Sequence, residues 1–187
     1  MNLKNQRVHK GQSLLAHLAD YTVVDIETTG VAGRQAKIIE ISALRIRNHQ
    51  IDAEFSMLIN PHQRLTPFIK NLTGITDQML MSAPELPQVL LDFYAFLGED
   101  VIVGHNVHFD VNFLYDNLLV VHGLYLTNDM VDTLRLSRRF LDLSHHRLDD
   151  LTAYFQLQGR DKHRALHDCR LTHEVYQNLY KHFSENA

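Results

Sequence analysis

Tyr21–Gly30 reads YTVVDIETTG, an apolar β-branched run followed by two acidic residues and a turn. The apolar run is typical of a central strand. Asp25 and Glu27 stand two residues apart, so in a strand both side chains point to the same face of the sheet. Neighbouring carboxylates at the end of a buried strand repel each other and are costly to desolvate. Divalent cations such as Mg²⁺ prefer oxygen ligands of this kind, and the stretch therefore predicts a metal site beside a central strand.

The composition is that of an ordinary globular protein. The chain has 187 residues, of which 45% are apolar and 21% are charged, which suits one domain with a sizeable core. We expect a single domain over residues 1–187, with an arm or short helix over residues 1–19 and a catalytic core over residues 20–183. The single cysteine, Cys169, excludes an internal disulfide and a multi-cysteine zinc site.

The sequence also bears on location and partners. No apolar run approaches the roughly 18–20 residues of a membrane span, and the polar N-terminus lacks the apolar region of a signal peptide. We therefore expect a cytoplasmic protein with no membrane partner. The net charge of −4 argues against attraction of nucleic acid over the whole surface. Basic clusters in the second half of the chain are either solvated faces or phosphate contacts.

The periodicity predicts three antiparallel strands followed by alternating helices and strands. Five strands are expected, at Tyr21–Glu27, Lys37–Ile46, Ile51–Ile59, Val101–Val103 and Asp129–Leu134. Helices are expected from Pro67, from Asp77, around Val89–Leu97, and over Val107–Val121, Arg147–Phe155 and Ala165–Phe183. This order predicts an α/β fold, a mixed sheet with helices packed on it.

Two further acids lie on predicted helices. Asp110, in GHNVHFD, is either an acid at the buried edge of its helix or a helix-start acid favoured by the macrodipole. Asp168, in HRALHDC, lies on the inward face of the last helix by its spacing from the apolar residues that follow. An aspartate on a buried face is rare unless it is paired or ligated, so an ion pair with a nearby arginine is the alternative.

Together the four acids predict phosphoryl chemistry. Four carboxylates balance two divalent ions, and such ions roughly 3.5–4 Å apart can activate water and hold a scissile phosphate. His163 is the candidate general base, because an imidazole with a pKa of ~6.5 accepts a proton at neutral pH. The chain has 13 histidines, so most are incidental, and His167 is a competing candidate. The turn Thr28–Gly30 is either a simple turn or a place where backbone amides meet a ligand.

VVDIETTG, GHNVHFD and HRALHDC stand in the order and roughly the spacing of the three motifs of the DEDDh 3′–5′ exonucleases. NLTGITDQML resembles the loop that lies beside the terminal nucleotide in that family. Over residues 21–180 the chain resembles this family, and within it the proofreading branch that includes the epsilon subunit of bacterial DNA polymerase III. The resemblance implies a ribonuclease H-like fold with a mixed five-stranded sheet flanked by helices. It also implies release of nucleoside monophosphates from the 3′ end of DNA, in proofreading or repair.

The resemblance assigns roles to residues. Asp25, Glu27, Asp110 and Asp168 would ligate two divalent cations, Mg²⁺ or Mn²⁺, and His163 would be the general base. The residues expected to bind the substrate are Ile26, Thr28, Thr29, Gly30, Leu72, Ile75, Thr76, His105, Asn106 and Phe109. The expected partner is the 3′ end of single-stranded DNA, with RNA as a further candidate. A DNA polymerase partner stays open, because no tether is visible after the last predicted helix.

Three other interpretations stay open. An RNA 3′–5′ exonuclease, resembling oligoribonuclease or trimming RNA ends, would need a 2′-OH contact that the sequence does not show. A non-catalytic nucleic-acid-binding module would tolerate loss of the ligands, and none is lost. A zinc hydrolase is disfavoured, because no zincin-type histidine pair accompanies a glutamate on one helix and the acid-rich set suits harder cations.

Overall fold

The computed structural model describes residues 7–30, 36–157 and 164–186. These residues form one mixed sheet with helices on both faces. The strands are β1 Ser13–Leu14, β2 Tyr21–Thr28, β3 Ile38–Arg47, β4 Gln50–Leu58, β5 Ile102–Gly104 and β6 Met130–Asp132. The helices are α1 Pro67–Thr73, α2 Asp77–Met81, α3 Leu86–Leu97, α4 His108–His122, α5 Thr133–Phe140, α6 Leu148–Tyr154 and α7 Ala165–Asn186.

The sheet order is β1-β6-β5-β2-β3-β4, which puts β2 near the centre. The predicted antiparallel meander is confirmed, since β3 pairs antiparallel with both β2 and β4. On its other side β2 runs parallel to β5, and β5 runs parallel to β6. The carboxyl ends of β2, β5 and β6 therefore meet at one edge of the sheet, where ligands commonly bind in open α/β sheets.

Alternate side chains of β2 pack into two hydrophobic clusters on opposite faces of the sheet. Val24 and Ile26 join the cluster beneath α3 and α4. Tyr21 and Val23 join the cluster beneath α5, α6 and α7. Since side chains two residues apart share a face of the sheet, Asp25 and Glu27 follow Tyr21 and Val23 toward α7, on the same face as predicted.

A third, smaller cluster lies beneath α1 and α2. It contains Ile39 of β3 together with Leu65, Ile69, Ile75 and Leu80, which are all nearly or fully buried. Each short helix begins at a threonine whose hydroxyl accepts a backbone N–H from the first turn, which is the usual way to satisfy these amides. The two helices therefore form a compact unit over the start of β3.

The predicted α/β class with a mixed, helix-flanked sheet is confirmed, but the strand number differs. The sheet has six strands instead of five, because two residues of the N-terminal arm, Ser13–Leu14, pair parallel with β6. Helical leucine spacing made a helix here plausible, yet the backbone bonds to the sheet edge, with the Met130 N–H donating to the Gln12 carbonyl at 2.8 Å. Residues 1–6 of the predicted arm lie outside the described residues.

The predicted strand Asp129–Leu134 was wrong at its end. The strand stops at Asp132, whose carboxylate accepts the Leu134 N–H at 3.0 Å and so begins α5. This helix was missed because the three residues at its start, Leu134–Arg135–Leu136, alternate like those of a strand. Along the described chain, no helix is both long and apolar enough to cross a bilayer.

Candidate active site

Three carboxylates meet at the end of β2. Asp25 and Glu27 on β2 and Asp168 in the first turn of α7 each place one oxygen within 4.8 Å of the others. The meeting follows from the fold, because α7 packs across β2 and β3 on the face to which odd-numbered residues of β2 point. The predicted gathering of these three acids is what the structure shows.

Asp110 approaches from α4. It lies in the first turn of that helix and is 4% exposed. Its Oδ1 accepts the backbone N–H of Ile26 at 3.1 Å, and Ile26 is the residue between Asp25 and Glu27. The fourth predicted acid is therefore anchored to the strand that carries the first two.

The close approach of α4 to the sheet depends on Gly104, the last residue of β5. A Cβ at this position would lie 2.6 Å from Cγ2 of Val107 and 3.2 Å from the Val24 carbonyl oxygen. Only a residue without a side chain lets the backbone turn from β5 into α4 at this distance. The glycine thus contributes to placing Asp110.

Three of the four acids, Asp25, Glu27 and Asp110, have raised pKa values in the absence of a cation. Burial raises the pKa of Asp25 well above its usual range, and the charges of Asp110 and Glu27 add to this. Burial, followed by the charge of Asp168, raises the pKa of Glu27 to about 8. Burial also raises the pKa of Asp110 to about 7, although the Ile26 N–H opposes the shift. Bringing several carboxylates together in a buried place is therefore unfavourable for their charged forms.

This donor set fits a divalent cation. Oxygen ligands from carboxylates are what Mg²⁺ and Mn²⁺ prefer. The spacing within 4.8 Å allows Asp25, Glu27 and Asp168 to reach one ion. A bound cation would also offset the mutual repulsion of these carboxylates, so the acids and the cation would stabilise each other.

The turn after β2 is tightly bonded. The Thr28 hydroxyl donates to the Gly30 carbonyl at 2.6 Å, and the Thr29 N–H donates to the Lys37 carbonyl at 2.9 Å. A Cβ on Gly30 would meet no atom within 4 Å, so packing of the described residues does not require glycine there. Ile26 is only 5% exposed, and its backbone N–H is occupied by Asp110 Oδ1.

The residues predicted on α1 and α2 differ in access. Leu72 is 39% exposed on α1, and Thr76 is exposed at the start of α2. Ile75 between them is fully buried in the third cluster. Its side chain therefore supports this segment from beneath and does not reach the surface.

Of the residues predicted after β5, His105 and Asn106 contact residues at the end of β6 and the start of α5. His105 Nδ1 lies 2.9 Å from the Thr133 hydroxyl, and the Asn106 N–H donates to Asp132 Oδ1 at 2.8 Å. The Phe109 ring packs on Phe113, with ring centroids 4.9 Å apart. His105 and Phe109 are half-buried, whereas Asn106 is exposed, so Asn106 offers the most accessible side chain of the three.

A comparison with models of known protein families identifies the family of this chain. The model of the family described as Exonuclease matches residues 22–176. The chain belongs to the exonuclease family. The predicted resemblance to the DEDDh exonucleases is thereby confirmed, and the three acidic motifs all fall within the matched residues.

Curated relatives of this exonuclease chain are much longer proteins. It is 38% identical over 168 residues to the PolC-type DNA polymerase III of Halalkalibacterium halodurans, covering 89% of this chain and 12% of that protein. It is 35% identical over 178 residues to the PolC-type DNA polymerase III of Staphylococcus aureus, covering 95% of this chain and 12% of that protein. The exonuclease chain thus spans about an eighth of the length of these relatives.

Solved structures share the fold of this exonuclease. Exonuclease X in complex with 5′ overhanging duplex DNA matches with a TM-score of 0.69 and 24% identity, over 86% of this chain and 90% of that chain. The nuclease domain of 3′hExo, a DEDDh family member bound to rAMP, matches with a TM-score of 0.75 and 18% identity, over 89% of this chain and 94% of that chain. At these identities the likeness establishes the ribonuclease H-like fold.

The general base predicted for the exonuclease, His163, lies outside the described residues, as does the rest of the segment Gln158–His163. The competing candidate, His167, is half-buried in the first turn of α7, next to Asp168. Its Nε2 is buried and finds no hydrogen-bond partner among the described residues. The choice between the two histidines therefore stays a prediction.

Sequence reasoning missed two residues beside the acids of the exonuclease. Glu40 on β3 stands opposite Glu27 and is 1% exposed. It forms an ion pair with Arg164, at 2.8 Å between Oε1 and Nη2. A usable signal was present, because an acid inside the apolar run IIEI of a central strand must find a partner when it is buried.

Proposed function

We propose that this chain is a metal-dependent 3′–5′ exonuclease that releases nucleoside monophosphates from the 3′ end of DNA, in proofreading or repair. The observation that carries the proposal is the meeting of Asp25, Glu27 and Asp168 within 4.8 Å, with Asp110 anchored between the first two. Membership of the exonuclease family and likeness to PolC-type polymerases support it. These relatives are far longer polymerases, and a DNA polymerase partner is therefore part of the proposal. A cytoplasmic location is a separate part of it.

The proposed cofactor is a pair of Mg²⁺ or Mn²⁺ ions, held by Asp25, Glu27, Asp110 and Asp168. When bound, such ions supply an activated water and charge stabilisation for the scissile phosphate and its leaving oxygen. The protein's own task is to orient the acids. The Ile26 N–H fixes the Asp110 carboxylate at 3.1 Å, and α7 directs Asp168 toward β2.

Other residues would accept the proton from the attacking water and bind the substrate. His163 would accept a proton from the attacking water. The backbone from Ile26 through Thr28 and Thr29 to Gly30 would meet the 3′ terminal nucleotide. Side chains on α1, α2 and the segment after β5 would line its pocket, with Leu72, Thr76 and Asn106 the most accessible. RNA remains the alternative substrate, and matched DNA and RNA oligomers distinguish the two.

Asp168→Ala tests the metal centre directly. We expect it to abolish metal-dependent release of mononucleotides from a 5′-labelled DNA oligomer while the folded circular dichroism spectrum is kept. Glu174→Ala is the matched control, because Glu174 is an acid on the same helix that faces solvent, and we expect its rate to be unchanged. Full activity in Asp168→Ala would overturn the assignment.

A further inference from the structure

A fifth acid, Glu40, stands beside the metal cluster without belonging to it. Its strand partner in the β2–β3 register is Glu27, and residues directly opposite in an antiparallel pair lie on the same face with Cβ atoms about 4.5–5.5 Å apart. Like charges placed so close destabilise a sheet unless one of them is neutralised. Glu40 is 1% exposed, so water does not provide that neutralisation.

Protein groups satisfy the Glu40 carboxylate. Arg164 donates from Nη2 to Oε1 at 2.8 Å and from Nε to Oε2 at 3.2 Å. The backbone N–H of Ala165 donates to Oε2 at 3.3 Å. The two-point arginine contact fixes the relative orientation of the groups as well as their distance. Both oxygens are thereby occupied, which explains why Glu40 is not among the acids positioned for a cation.

The same contacts reach Asp168 through the first turn of α7. Ala165 is the first residue of that helix and is fully buried. The Arg164 carbonyl accepts the Asp168 N–H at 3.0 Å and the His167 N–H at 2.8 Å. Glu40 therefore bonds to the side chain of Arg164, just before α7, and to the backbone N–H of Ala165, the first residue of α7. Arg164 and Ala165 both belong to the turn that leads to Asp168.

We propose that the Glu40–Arg164 pair is a positioning device that sets the first turn of α7 and so gives Asp168 its place opposite Asp25 and Glu27. Neither residue touches the cation, and the pair acts on its affinity through Asp168. This inference rests on the proposed metal centre. Partners that orient metal ligands typically change metal affinity or activity by about 10–100-fold when they are replaced.

The test is binding of Mn²⁺ alone, measured by titration calorimetry on the full chain without nucleic acid. Arg164→Lys keeps the positive charge but loses the two-point contact, so we expect Mn²⁺ affinity to fall by about tenfold or more. Rate measurements should show a matching rise in the Mn²⁺ concentration for half-maximal rate, with most of the rate recovered at saturating Mn²⁺. Glu40→Gln, which keeps one acceptor oxygen and loses the charge, should weaken binding as well.

Arg170→Lys is the matched control. Arg170 lies on α7 and pairs with Glu54 of β4, and both side chains are partly exposed. The Mn²⁺ affinity of the Arg170→Lys variant should therefore equal that of the unaltered chain. Equal affinity in Arg164→Lys and the unaltered chain would overturn the positioning role alone. Absence of Mn²⁺ binding in the unaltered chain would overturn the metal centre and this inference with it. If Arg164→Lys does not fold, Glu40→Gln decides by the same criterion.

Discussion

At the scale of single residues, the buried carboxyls make the cation-free protein sensitive to pH. Glu27 and Asp110 have pKa values of about 8 and about 7, raised chiefly by burial. In an unfolded chain both would ionise near pH ~4. Between these values the folded state binds more protons than the unfolded state, so the free energy of unfolding falls as pH rises through the folded pKa.

We therefore predict that the melting temperature in EDTA falls between pH 7 and 8.5. This window lies above the ordinary pKa of histidine, so buried histidines such as His105 and His173, whose pKa values burial lowers, do not contribute an opposing slope. Glu27→Gln should make the fall smaller, because it removes one of the groups whose raised pKa produces it. Saturating Mn²⁺ should reverse it, since cation binding favours the ionised acids. A melting temperature that rises across the window in EDTA would contradict the assignment of raised pKa values.

The second residue-scale prediction concerns the general base. His163→Ala should lower the rate of hydrolysis by roughly 10²–10⁴-fold, which is the range for a positioned acid or base. It should also remove the dependence of the rate on pH near the histidine pKa. His167→Ala is the comparison variant. An unchanged pH–rate profile in His163→Ala, with a changed one in His167→Ala, would transfer the role to His167.

At the scale of elements, Gly104 links the sheet to the helix that carries Asp110. Gly104→Ala would place a methyl group 2.6 Å from Val107 Cγ2, so we predict a loss of about 1–3 kcal/mol in unfolding free energy together with reduced activity. Chemical denaturation measures the first quantity. Unaltered stability in the single variant would show that α4 is not packed as described.

How far the sequence predicts these elements depends on how local the signal is. The strands of the meander were predicted from their apolar β-branched runs and the turn residues between them. The helix bearing Asp110 was predicted from apolar residues at helical spacing, such as Phe109, Phe113 and Leu118. The arm strand Ser13–Leu14 could not be predicted from the sequence, because these two residues form a strand only by pairing with the free edge of β6. The helix Thr133–Phe140 was missed because its first residues, Leu134–Arg135–Leu136, continue the alternating pattern of the preceding strand. The ion pair between Glu40 and Arg164 joins residues that are 124 positions apart, which no local pattern reveals.

At the scale of the whole molecule, the site exists only when three distant parts of the chain are assembled. The acids come from a central strand and from helices packed on opposite faces of the sheet. The family resemblance sufficed to predict that Asp25, Glu27 and Asp168 meet, because it supplied the topology. It did not predict what holds them in place, since the anchoring of Asp110 by Ile26 and of α7 by Glu40 depends on backbone and long-range contacts.

The proposed activity is metal-dependent removal of nucleotides from a 3′ end. The most direct measurement is a time course on 5′-labelled single-stranded DNA, 3′-recessed duplex DNA and matched RNA, each with Mg²⁺, Mn²⁺ or EDTA. We predict a ladder of products that shortens one nucleotide at a time from the 3′ end of DNA, disappears in EDTA and is slower on RNA. No shortening of any substrate with either metal, or cleavage at internal positions only, would show that the chain is not a 3′–5′ exonuclease.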